Sequence, residues 1–208
     1  NPNYWGGAPK WDKVTFKFVA NNGARVAALL SGDVDMIENV PTTDIGTVTK
    51  RKGVGVITTG SNRVMYLHMD HDRETSPHAA GPDGKNPLRD VRVRRALSMA
   101  INREALIDRI MDGQGVSAGQ LVPEGYFGWS PNIQVPKFDP AGAKKLLAEA
   151  GYSDGFKMTS HASNDRYPND EKIAQAIGQM FSKIGIEISV MTLPKSVYFS
   201  RASAREFS

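Results

Sequence analysis

Between Phe156 and Val190 the apolar residues change period twice, and that switch restricts the fold more than any other feature of the chain. Ser153-Asp154-Gly155 is a turn, and Phe156 to His161 reads as a strand leaving it. A helix is expected from about Pro168 to Ile184, because Ile173, Ile177, Met180, Phe181 and Ile184 return at helical spacing and Gly185 follows. Ile186, Ile188 and Val190 then alternate with Glu187 and Ser189, which is the two-residue period of a half-buried strand. Strands alternating with helices define an α/β fold class.

Two upstream stretches carry equally clear helix signals. In DVRVRRALSMAINREALIDRI, Asp90 to Ile110, Asp90 is placed to cap a helix by accepting from the amide of Val93, and it stands four residues before Arg94. Val93, Leu97, Ala100 and Ile101 form one apolar face, while Arg92, Arg95 and Ser98 lie largely elsewhere. Asn102 caps a second helix with Leu106, Ile107, Ile110 and Met111 apolar, ended by Asp112-Gly113. Asp139-Pro140 starts another, an acid cap followed by proline at the first helical position. Its buried stripe is Ala143, Leu146, Leu147 and Ala150, closed by Gly151.

The first sixty residues read as strand, helix, strand, helix, strand: Val14 to Val19, Gly23 to Leu30, Val34 to Ile37, Thr43 to Lys50 and Val54 to Thr58. Trp5 and Trp11, near Pro2 and Pro9, are expected to be packing anchors. Gly60-Ser61-Asn62 breaks the pattern, Val64 to Met69 is a further strand, and the polar Asp70 to Pro87 stretch is a long surface loop. Gly113 to Lys137 has no sustained period and reads as an irregular crossing segment, with Tyr126, Phe127 and Trp129 as its aromatic anchors.

Composition narrows the function classes. Of 208 residues, 40% are hydrophobic and 23% charged, ordinary values for a globular protein, and the net charge of +4 is mild. Lys and Arg are interleaved with acids along the chain, which does not build the basic face with stacking aromatics that nucleic-acid binding calls for. There is no cysteine, so thiolate chemistry, disulfides and cysteine zinc sites are excluded. No apolar run approaches the ~20 residues of a membrane-spanning helix. The chain opens on Asn1-Pro2, shows no leader pattern, and stops at Arg205 to Ser208, where an apolar strand is expected to begin; the two ends read as those of a fragment.

Enzyme signatures are missing: no HExxH, no Walker loop, no GxSxG elbow. Gly113 to Gly119, GQGVSAG, follows a helix and spaces its third glycine wrongly for a dinucleotide fingerprint, so it reads as a loop. HMDHD, His68 to Asp72, with His78 nearby, is the sharpest metal candidate through His68, Asp70 and His71, since imidazole and carboxylate suit a divalent transition metal. Its competing reading is a solvated strand end. No resident cofactor or metal is expected.

The better binding candidate is NDRYPND, Asn164 to Asp170, at the carboxyl end of a strand, where open α/β sheets bind ligands. Arg166 offers a planar, permanently charged fork suited to a carboxylate, and Tyr167 an apolar face with a hydroxyl. Asn164 and Asp165 share that turn, and the competing reading is a helix cap with solvated charge. Gly60, Ser61 and Asn62 could present backbone donors to a ligand or simply turn the chain.

The Asp90 to Ile110 helix pair also resembles a signature of the large solute-binding proteins of bacterial ABC importers, family 5, which carry peptides, nickel chelates and related solutes. NPNYWGGAPKWDKVTFKFV (Asn1 to Val19), ARVAALLSGDVDMIENVP (Ala24 to Pro41), FDPAGAKKLLAEAGYSDGF (Phe138 to Phe156) and IAQAIGQMFSKIGIEISV (Ile173 to Val190) are similar to other segments of that family in the same order. The resemblance implies a periplasmic-binding-protein-like α/β fold, with the end of lobe one in residues 1–60 leading to a hinge and most of lobe two in residues 61–208. It implies a periplasmic, monomeric receptor that closes its lobes on a peptide or similar small solute and delivers it to membrane permease subunits, making and breaking no bond. A metal-chelate receptor of the same family is the alternative, and an α/β enzyme a more distant one. In relatives that bind dipeptides an arginine near the strand-to-helix junction holds the peptide carboxylate; Asn164 aligns closest to it and Arg166 stands two residues on. The acid that takes the peptide's amino group in the family lies in a segment beyond Ser208.

Overall fold

A computed structural model describes residues 3–208; Asn1 and Pro2, which open the first family-like block, lie outside the described residues. The chain divides into two compact units, Asn1–Ile57 and Thr58–Ser208, where the sequence places the crossing at residues 60 to 62.

In the first unit, helix α1 (Asn22–Ser31) begins where the Asn21 side chain accepts from the amide of Ala24 and ends at Gly32, whose φ of 88° is the left-handed cap geometry. A 3-10 turn at Thr42–Asp44 runs into the short helix α2 (Ile45–Thr49), so the helix expected over Thr43 to Lys50 is only partly α. Val26 and Leu29 of α1 and Val48 of α2 are buried together as the small core of this unit. The strands expected at Val14 to Val19, Val34 to Ile37 and Val54 to Thr58 are not formed among the described residues. A strand exists only when a neighbour accepts and donates its backbone bonds, and among the described residues these segments have no such neighbour; Phe16 and Phe18 stand in solvent at 80% and 99% exposure. Arg25 ties the end of the first segment to the chain just after the second, donating to the carbonyls of Val19, Glu38 and Asn39 at 3.0, 3.0 and 2.8 Å. Trp5 and Trp11 are exposed rather than packed.

The second unit is a three-stranded sheet with helices. Its strands are β1 (Ala79–Ala80), β2 (Lys157–Ser163) and β3 (Glu187–Leu193), in spatial order β1-β2-β3. β1 runs antiparallel to β2, and β2 parallel to β3 in a register that pairs Lys157 with Glu187 and Ser163 with Leu193. Helix α6 (Asp170–Ser182) connects the parallel pair, which makes a βαβ unit. It lies close on β3: a Cβ added at Gly178 would come within 2.5 Å of Val190 Cγ2. The expected Val64 to Met69 strand likewise forms no ladder among the described residues, and Asp70 to Pro87 is not wholly surface, since it holds β1 and buries Asn86 and Pro87.

Helices α3 (Val91–Ala100), α4 (Arg103–Ile110) and α5 (Pro140–Glu149) pack against α6 and the sheet through a core of Leu88, Val93, Ala96, Leu97, Ala100, Ala143, Leu147, Phe156, Phe181, Ile184 and Ile186. Burying one ring such as Phe181 contributes roughly 2–3 kcal/mol. Asp90 does cap α3, but it accepts from the amide of Arg92 at 2.7 Å rather than from Val93, and its salt bridge goes to Arg92 rather than Arg94. Arg94 instead donates to the carbonyls of Leu88 and Arg89, which carry the turn into α3. Asn102 and Asp139 cap α4 and α5 through the amides of Ala105 and Gly142. The crossing segment from Gly113 to Lys137 is irregular, pinned by two hydrogen bonds between the Gln120 side chain and the Ser130 backbone; Tyr126 and Phe127 are exposed and anchor nothing, while Trp129 is half-buried. A helix not expected from the sequence, α7 (Lys195–Ser203), follows β3, and no strand forms at Arg205 to Ser208.

Candidate functional site

The loop from Asn164 to Asn169 leaves the carboxyl end of β2 and enters α6, and its shape is set by one carboxylate. Asp170 Oδ2 accepts from Ser163 Oγ at 2.7 Å, from the Arg166 amide at 3.0 Å and from the Tyr167 amide at 3.1 Å, while Oδ1 accepts from the Glu171 amide at 3.0 Å. The residue is buried, and its negative charge sits in the first turn of α6, where the helix dipole favours it. The helix therefore starts two residues later than expected, because Asn169 takes a left-handed φ of 55° to bring the chain round. Asn169 Nδ2 donates to the carbonyl of Ile110 at the end of α4, which ties the loop to the helix pair.

The other end of the loop is fastened to β3 and α7. The Asn164 amide donates to the carbonyl of Leu193 at 3.0 Å. The amide of Lys195 donates to Asp165 Oδ1 at 2.6 Å, which supplies α7 with the side-chain acceptor that its own cap residue, Pro194, lacks. Arg166 remains exposed, its guanidinium 4.9 Å from the centre of the half-buried Tyr167 ring, and no ion pair joins it to a carboxylate among the described residues. Asn164, Asp165, Arg166 and Tyr167 are thus gathered on one stiffened turn. Asp170, which organises them, is visible in the sequence only as an acid at a helix start.

Behind the loop, on the β2 face away from α6, lies an aromatic cluster that sequence reasoning missed. His161 stacks on Phe207 with ring centroids 4.2 Å apart and meets the edge of His78 at 4.5 Å; Tyr198 stacks on the same Phe207, and the Arg201 guanidinium lies 4.9 Å from its centre. Both nitrogens of His161 are sealed from solvent with no hydrogen-bond partner among the described residues. Burial, reinforced by His78 and Arg201, pushes its pKa down to about 4. Burial also raises the Tyr198 phenol, with smaller contributions from Tyr66 and Tyr167. A histidine alternating inside a strand was the available signal.

Gly60, Ser61 and Asn62 are exposed, and Ser61 Oγ accepts from the Arg63 amide at 3.1 Å, closing a local turn. At the metal candidate, Asp70 is engaged by Arg73 Nε at 2.6 Å and by the amides of Asp72 and Arg73. Burial opposes its ionisation, but these bonds outweigh burial and hold the carboxyl below its usual value. His68 leans toward Tyr66, and no group of three His, Cys, Asp or Glu side chains gathers in metal-binding geometry among the described residues. No helix of the described residues is long and apolar enough to cross a membrane.

Among curated proteins the chain is similar to the dipeptide-binding protein of Escherichia coli, 29% identical over 98% of this chain, and to heme-binding protein A of Haemophilus influenzae, 29% identical over 99% of it. It spans 36% of the length of each. Among solved structures it is similar to the periplasmic binding protein DppA of Helicobacter pylori in complex with the peptide STSA, with a TM-score of 0.74, 25% identity, and coverage of 100% of this chain and 38% of that one. The fold is therefore α/β and periplasmic-binding-protein-like. With a family model matching residues 1–208, the chain belongs to the bacterial extracellular solute-binding proteins, family 5 Middle.

Proposed function

We propose that this chain is part of the solute receptor of an ABC importer, a periplasmic monomer that captures peptides or similar small zwitterions and delivers them to permease subunits in the inner membrane without chemical change. Residues 1–60 are read as the end of lobe one and residues 61–208 as most of lobe two. The observation that carries the reading is Arg166: an exposed guanidinium, stacked on Tyr167 and unpaired with any described carboxylate, on a stiffened turn at the carboxyl end of β2. Such a fork is suited to a carboxylate, and a zwitterion's terminal carboxylate is the ligand group it takes. Asn164 and Asp165 flank it, and Gly60, Ser61 and Asn62 supply backbone donors to the same solute.

The test is a library of dipeptides and tripeptides, each as free acid and as C-terminal amide, titrated into the full-length protein. The free acids are expected to bind at least about tenfold tighter, and Arg166→Ala to abolish that preference. A protein that binds no member of the library, or binds acid and amide alike, overturns the reading. A metal-chelate receptor is the second reading, favoured by the likeness to a protein named for binding heme. Stoichiometric nickel or iron in freshly purified protein would decide for it.

A further inference from the structure

We propose that Asp170 is the positioning residue of this solute site: it touches no solute itself and sets affinity by holding Arg166 and Tyr167 in the binding conformation. The inference rests on the reading of Asn164 to Tyr167 as a solute contact.

A buried carboxylate inside a protein needs its lone pairs satisfied, and every partner of Asp170 comes from the segment it controls. Ser163 is the last residue of β2, Arg166 and Tyr167 are the tip of the turn, and Glu171 is in the first turn of α6. One oxygen thus joins the end of the strand to two consecutive amides of the loop. Those amides are committed to Asp170, while the Arg166 side chain is exposed and the Tyr167 ring half-buried. The arginine is then free to stack on its neighbour's ring. Pre-arranging a loop in this way raises affinity by removing the ordering cost from the binding step.

The remaining fastenings do not replace it. The Asn164 amide, Asp165 and Asn169 secure the two ends of the loop to β3, α7 and α4. None of those three bonds reaches the backbone of Arg166 or Tyr167. Without the carboxylate those two amides lose their acceptor, and what still holds the tip is the longer backbone bond from the Asp170 amide to the Tyr167 carbonyl at 3.3 Å, so the tip loosens while both ends stay fixed.

The experiment compares Asp170→Ala, Asp170→Asn and Arg166→Ala in the full-length protein, reading peptide affinity with the dipeptide and tripeptide library, thermal midpoint, and hydrogen exchange of the peptide spanning residues 164–170. Asp170→Ala is expected to weaken binding about 10- to 100-fold and to speed exchange of the Arg166 and Tyr167 amides at least about tenfold. Asp170→Asn keeps one acceptor oxygen for those amides and should restore most of the affinity, at a thermal midpoint close to that of Asp170→Ala. A purely structural Asp170 would lower the midpoint and leave affinity and loop exchange in the folded protein unchanged, which overturns the proposal. If Arg166→Ala loses binding and Asp170→Ala does not, positioning fails and the site reading stands. If neither variant loses binding, the site reading fails and positioning falls with it.

Discussion

The imidazole of His161 lies flat on the ring of Phe207, with centroids 4.2 Å apart and planes inclined by only 13°, and its two nitrogens are sealed from solvent with no hydrogen-bond partner among the described residues. Protonation would bury a charge next to His78 and Arg201, against the face of Phe207. The unfolded chain takes up this proton near 6.5 and the folded one only near 4, so between those values the unfolded state binds more protons and stability falls as pH is lowered. Urea midpoints measured at intervals from pH 7 to pH 4 should show that decline, and His161→Phe, which keeps the stack and removes the titration, should flatten it. Asp70 and Asp90, both held below their usual value, lose their contribution only below about pH 4, outside this window. An equally steep decline in the variant would remove His161 as its source.

Arg73 joins the loop after residue 70 to the last residues of the chain. Its Nε meets Asp70, and its two terminal nitrogens donate to the carbonyls of Arg205 and Phe207. An exposed ion pair alone contributes under about 1 kcal/mol, whereas a charged hydrogen bond to a carbonyl contributes about 1.5–3. The fork should therefore matter more than the charge. Arg73→Lys, which keeps the charge, is expected to lose about 2 kcal/mol in chemical denaturation; a lysine variant as stable as the parent would show that the ion pair suffices.

The elements legible in the sequence are those whose hydrogen bonds close locally or whose partner strand lies inside the chain. The helix starts at Asn102 and Asp139 were readable because the cap and the amide it serves are three residues apart. β2 and β3 were readable because each has the other to pair with. Val14 to Val19 has the same alternation, yet no neighbour among the described residues supplies a ladder, and alternation alone does not make a strand. Helix α7 was invisible for a different reason: KSVYFSRAS has no clean apolar stripe, and its cap, Asp165, comes from thirty residues earlier. The candidate site divides the same way. Arg166 announces itself by chemistry, while Asp170 acquires its role only when the turn folds Ser163, Arg166 and Tyr167 back onto one oxygen.

The turn into β2 should tolerate no side chain at Gly155. Its φ is +76°, a conformation L residues adopt at a penalty of roughly 1–2 kcal/mol, and a Cβ there would fall 1.8 Å from the carbonyl oxygen of Gly185, at the entry to β3. Overpacking adds about 1–3 kcal/mol, so Gly155→Ala is expected to destabilise the protein by about 3 kcal/mol. Gly151→Ala, with φ of +91° and open space around it, should lose only the conformational part. Equal losses in the two variants would show that the approach of Gly185 does not limit the turn.

Asp165 gives the last prediction, because its position in the candidate site and its role in the fold differ. Its carboxylate accepts from the first amide of α7, and Pro194 in front of that helix offers no side-chain acceptor of its own. A side-chain cap contributes about 1 kcal/mol, and an acid at a helix start gains further from the dipole. Asp165→Ala should therefore destabilise the protein by about 1 kcal/mol and speed hydrogen exchange at the amino end of α7, leaving α6, which is organised by Asp170, protected. Asp165→Asn keeps the acceptor oxygen but not the charge and should recover most of that protection. If exchange in α7 is the same in all three proteins, the bond from Lys195 does not support the helix, and Asp165 serves the solute alone.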